Sequence, residues 1–191
     1  MSADYFALLD LPKSASLDEE TLQRAYLEKT RESHPDQAEG DSLLSTELNA
    51  ARDTLGSTAR RLKHLLELES ASPASSWGTV PLDQQMMGVF EKLGPALQGA
   101  SALIRELEMA KSSLAKALLS DRVMRQRETL EGIGHELEAV SSDMLAKLPE
   151  LDNRRQTGDP QVMREMHQTQ ARFAYLEKWR AQICEALAKL F

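Results

Sequence analysis

Apolar residues recur three, four and seven positions apart along most of this chain, and a repeat of that period is buried only as one face of a helix. One such stripe is Leu44, Leu48, Ala51, Leu55, Leu62 and Leu65 or Leu66. A second runs through Leu97, Ala100, Ile104, Leu107, Leu114 and Leu118, and a third through Val123, Leu130, Ile133, Leu137, Val140 and Met144. The last takes Val162, Met166, Phe173, Leu176, Ile183, Leu187 and Leu190. No segment reads as a convincing strand. Leu, Ala, Glu, Lys, Gln and Arg dominate and aromatics make up 5%, so the expected fold is all-α, helices packed on helices.

The N-terminal stripes are punctuated by proline. Asp4-Tyr5-Phe6-Ala7-Leu8-Leu9 makes one or two helical turns, halted before Pro12. Ser16 and Glu19 have capping-box spacing and predict a helix through Leu22, Ala25 and Tyr26. That helix ends near Ser33, because Pro35 pushes His34 out of the helical region. The next helix starts at about Ser42. The loop between them is short, so the two lie antiparallel and bury Leu22, Tyr26, Leu48, Ala51 and Leu55.

Residues 70–81 are rich in serine, alanine and proline and have no helical period, which marks a linker. From Leu82 the chain is helical again, with a break or kink expected at Gly94-Pro95 and a loop closed by Gly158-Asp159-Pro160. Each segment has one apolar stripe and a charged remainder, as in an antiparallel helical bundle. The domain reading is therefore 1–68, a linker over 69–81, and a bundle over 82–191.

The net charge of −7 works against nucleic acid and anionic membranes and favours a protein partner. The single cysteine, Cys184, excludes an internal disulfide and any Cys-x-x-Cys site, and beside Ile183 it reads as a small core residue. No apolar run approaches membrane-spanning length and no signal-peptide pattern opens the chain, so a cytoplasmic location is expected. His64, His135 and His167 have no ligand partners at metal spacing. With no nucleophile and base pair and no glycine-rich phosphate loop, neither enzyme activity nor a cofactor or metal is expected.

Helix, His34-Pro35-Asp36 and antiparallel helix together resemble a J-domain, and more narrowly that of the HscB family of iron-sulfur co-chaperones. The opening Asp4-Tyr5-Phe6-x-Leu8-x-x-Leu11-Pro12 is similar to the start of that family. Leu48-Asn49-Ala50-Ala51-x-x-Thr54-Leu55, Arg60-Arg61 and Leu65-Leu66 resemble its third helix. The resemblance implies docking on a DnaK/HscA-type chaperone ATPase and stimulation of its ATP hydrolysis, through His34, Pro35 and Asp36 with Arg24, Tyr26 and Arg31. His34 offers a donor and an acceptor, and Asp36 a carboxylate that can take a bidentate arginine. A plain surface turn, with Asp36 accepting loop amides, is the alternative. The preceding helix is poorer in positive charge than in generic J-domains, with Glu20, Glu28 and Glu32 against Arg24, Lys29 and Arg31, and Gln37 stands where a base is usual.

In the bundle, Met86-Met87-Gly88-Val89-Phe90-Glu91 resembles the segment by which this family binds an IscU-type scaffold, and Tyr175-Leu176-Glu177-Lys178 resembles the matching part of its last helix. The implied client residues are Met86, Met87, Phe90, Glu91 and Tyr175. A further acidic contact of the family falls on Gly94, which cannot supply it. Two other readings stay open: a J-domain adaptor for a different client, and an interaction protein that activates nothing.

Overall fold

The computed structural model describes residues 3–32, 42–69 and 78–190. Its helices are α1 (Tyr5–Leu8), α2 (Glu19–Glu32), α3 (Ser42–Gly56), α4 (Thr58–Glu69), α5 (Gln84–Met109), α6 (Ser113–Leu145), α7 (Leu148–Gln156) and α8 (Val162–Lys189). Among the described residues there is no strand, and no helix is long and apolar enough to cross a membrane. The fold class is all-α.

The chain forms two compact units that are not continuous in sequence. The first comprises Met1–Val80 and Leu145–Ala174, the second Pro81–Met144 and Tyr175–Phe191. Sequence order places 145–174 with the bundle; the structure gathers α7 and the first half of α8 with α1 to α4. The buried apolar residues of this segment, Leu148, Leu151, Val162, Met166 and Phe173, go with a buried carboxylate that ties α7 to the N-terminal loop. Asp152 on α7 is buried and accepts from Ser14 Oγ (2.6 Å), Ala15 N (2.8 Å), Ser16 N (2.9 Å) and Ser16 Oγ (3.0 Å). Burial pushes its pKa up, but these hydrogen bonds outweigh that and hold the carboxyl below its ordinary value. One turn further on, Arg155 donates to the Lys13 carbonyl and pairs with Glu69.

Ser16 is therefore not the cap of α2. The helix begins at Glu19, and Asp18 just before it accepts from Thr21 N at 2.8 Å, leaving the Ser16 hydroxyl to Asp152. α3 and α4, which share one stripe in the sequence, are two helices separated at Ser57. The Ser57 hydroxyl accepts from Arg60 N at 3.2 Å, and the buried Arg61 reaches back to the Leu55 carbonyl (2.6 Å) and the Ala15 carbonyl (3.0 Å). The apolar face survives the break because Leu55 and Leu62 are both buried, and so are Leu65 and Leu66. Leu22, Leu48 and Ala51 are buried as expected, but Tyr26 is only half-buried: its hydroxyl donates to Asn49 Oδ1 at 2.8 Å and Arg52 lies 5.0 Å over its ring.

His64 is buried against α1. Tyr5 N donates to its Nε2 at 3.1 Å, and the Tyr5 and Phe6 rings lie 4.8 and 5.8 Å from the imidazole. Only neutral imidazole can accept there. Burial lowers its pKa, against the opposing pull of the Asp4 and Glu67 carboxylates.

In the second unit α5 continues through Pro95, so of the break or kink expected at Gly94-Pro95 the break does not occur. Proline removes one helical bond, but buried Leu93, Ala96 and Ala100 flank it and Gln126 Nε2 donates to the Ala96 carbonyl at 2.9 Å. Gly99 permits this approach, since a Cβ there would stand 2.9 Å from Gln126 Oε1. The break comes at 110–112 instead, with Ala110 extended and Ser112 Oγ accepting from Ala115 N. Leu114 and Leu118 consequently start α6 and are exposed, not buried on α5. α7 lies where the sequence suggested only loop. Cys184 is exposed beside buried Ile183, because the buried stripe of α8 passes through Ile183 and not its neighbour.

Two measurements follow from these buried polar groups. Asp152→Ala leaves the amides of Ala15 and Ser16 unpaired and is expected to cost about 2–4 kcal/mol, read by urea unfolding of the whole chain; a loss under about 0.5 kcal/mol contradicts the clamp. For His64, the folded pKa lies below the unfolded one, so the unfolded chain binds the extra proton as pH falls below about 6.5 and stability falls with it. The thermal midpoint should drop between neutral and mildly acidic pH, and His64→Gln should flatten that drop.

Candidate functional site

The first candidate surface is α2. Leu22 faces inward, and Thr21, Ala25, Tyr26, Lys29 and Thr30 are half-buried, which leaves Gln23, Arg24, Leu27, Glu28, Arg31 and Glu32 outside. Leu27 stands at the edge of a shallow depression lined by Glu19, Glu20, Gln23 and Arg24. Arg24 pairs with Glu20 at 2.9 Å, and Lys29 bridges Asp10 (2.5 Å) and Glu32 (3.1 Å). The hydrogen bond from Lys29 to Asp10 raises its pKa. Positive charge on this helix is thus partly matched within the unit. Of the residues expected to meet a chaperone, Arg24 and Arg31 are exposed on α2, whereas Tyr26 is committed to α3. His34, Pro35 and Asp36 fall in the chain between α2 and α3 and lie outside the described residues.

The second surface belongs to α5 and the second half of α8. The buried stripe of α5 is Met86, Val89, Leu93, Ala96, Ala100 and Leu103, at spacings of three and four. Met86, expected among the client-binding residues, is on it and only 1% exposed, so its side chain faces the interior of the unit. Met87 and Phe90 lie off the stripe, 45% and 50% exposed, with Glu91 exposed beside them. The Phe90 ring is 5.8 Å from Trp179, and Trp179 is 5.8 Å from Tyr175. Trp179 is buried, Tyr175 half-buried and Phe90 open, so the three rings grade from interior to surface. Tyr175 and Trp179 are four positions apart, which signals in the sequence that they share a face; the part Trp179 plays in supporting Phe90 depends on a helix far away in the chain.

Such a patch does no covalent chemistry. An exposed methionine and phenylalanine over an aromatic floor make an adaptable apolar contact, and the neighbouring carboxylate adds direction. Among the described residues no group of His, Cys, Asp and Glu is arranged to hold a metal ion.

No family model matches the chain. Among solved structures it is similar to the human co-chaperone protein HscB, with a TM-score of 0.57 and 19% identity, over 96% of this chain and 82% of that one. At this identity the likeness is one of fold: the chain has an all-α fold similar to that of human HscB.

Proposed function

We propose that the chain is a co-chaperone of the HscB type. Residues 1–68 act as its J-domain, binding a DnaK/HscA-type chaperone through His34, Pro35 and Asp36 with Arg24 and Arg31 and stimulating ATP hydrolysis. The bundle carries an IscU-type iron-sulfur scaffold on Met87, Phe90, Glu91 and Tyr175. The observation that carries this reading is the coincidence of an HscB-like fold over nearly the whole chain with His34-Pro35-Asp36 between α2 and α3. The exposed methionine and phenylalanine over Trp179 support the client half. The protein itself transforms no substrate; its work is to place a client beside an ATPase, and holding both raises the local concentration of one at the other.

A second reading, an adaptor that docks without activating, draws on α2, where Arg24 and Lys29 already pair within the unit. Single-turnover ATP hydrolysis by a DnaK/HscA-type chaperone separates the two. The wild type should accelerate hydrolysis and Asp36→Asn should abolish the acceleration. No acceleration by the wild type, or equal acceleration by the variant, contradicts the activating role.

A further inference from the structure

The turn between α5 and α6 carries a surface that the proposed function does not use. Residues 111–127 hold Lys111, Lys116, Arg122, Arg125 and Arg127 against one acid, Asp121, a net of +4; the rest of the chain therefore carries −11 to reach the total of −7. Beside these cations Met109, Leu114 and Leu118 are 76%, 70% and 74% exposed. Leu114, Leu118, Arg122 and Arg125 follow at intervals of four, four and three and form one stripe along α6. The buried residues of α6 begin only at Leu130. Glu106 holds Arg122, at 2.9 Å from Nη2 to Oε1, whereas Lys111 and Arg125 make no ion pair among the described residues.

Exposed leucines next to unpaired cations, on a chain that is otherwise strongly acidic, define the complement they fit. We propose that this stripe docks an acidic amphipathic helix of a protein partner, Leu114 and Leu118 taking its apolar face while Lys111 and Arg125 meet its carboxylates. A membrane fits less well. Helices that lie in a lipid interface keep an apolar face over several turns, and here it spans one turn before Asp121 and Arg125 follow on the same side. The stripe is separate from the Phe90 patch, since 19 residues of α5 from Phe90 to Met109 correspond to about 30 Å. The proposal does not depend on the client assignment.

The test uses the full chain and three probes: a fluorescent helix-stabilised peptide with leucines along one face and glutamates flanking them, the same peptide with lysines for the glutamates, and phosphatidylserine vesicles. The acidic peptide should bind and weaken as salt is raised. L114S/L118S and R125E should each weaken it by at least about tenfold, and Phe90→Ala should leave it unchanged. These sites are exposed, so circular dichroism should match the wild type. No binding of the acidic peptide, equal binding of the lysine peptide, undiminished binding by either tip variant, or binding of vesicles in place of the peptide overturns the proposal.

Discussion

The Asp152 carboxylate is the contact on which the first unit depends. A charge buried in this way is tolerated only when its lone pairs are filled, and the loop before α2 fills them with two amides and two hydroxyls. That fixes residues 14–16, and with them the Ala15 carbonyl that accepts from Arg61. Arg61 in turn caps the end of α3 through the Leu55 carbonyl. One carboxylate on α7 thereby orders the entry to α2 and the junction of α3 with α4, which are the elements that frame the His34-Pro35-Asp36 segment in the chain. The hairpin of α2 and α3 alone lacks this support, which arrives from 136 to 138 residues away.

The same distance explains what was legible in the sequence and what was not. Helical periodicity exposed the all-α class and most of the buried stripe residues, because burial of one face leaves a local mark every three or four positions. Polar residues leave none. Asp152, Arg61 and His64 are ordinary charged or titratable residues in helices until their partners are known, and each has a partner remote in sequence: Ser14 to Ser16 for Asp152, the Ala15 carbonyl for Arg61 and the Tyr5 amide for His64. Short-range differences have local physical causes: Ser16 has capping-box spacing but Asp18 is nearer the helix start, and of the break or kink expected at Pro95 the break is avoided where buried Leu93, Ala96 and Ala100 flank it. Of the candidate client residues, the motif resemblance marked Met86 and Met87 alike; only the register of the buried stripe separates them.

Charge is distributed unevenly over these surfaces. On α2 the cations are partly matched by neighbouring acids, so the helix offers little long-range steering toward an acidic partner, and Leu27 is the large apolar side chain it exposes. The α5–α8 patch is apolar and aromatic with Glu91 at its edge, and the α5–α6 turn is apolar and basic. Three surfaces of different chemistry suit the role proposed above, that of holding other proteins together.

The most direct measurement of that role is a bridging experiment. An IscU-type scaffold is immobilised, the chain is added, and a DnaK/HscA-type chaperone is then passed over it with ATP. Chaperone should be retained only when the chain is present, and retention should be lost with Met87→Ala/Tyr175→Ala although the variant keeps its helix content. Chaperone retained equally without the chain, or undiminished with that variant, contradicts that role.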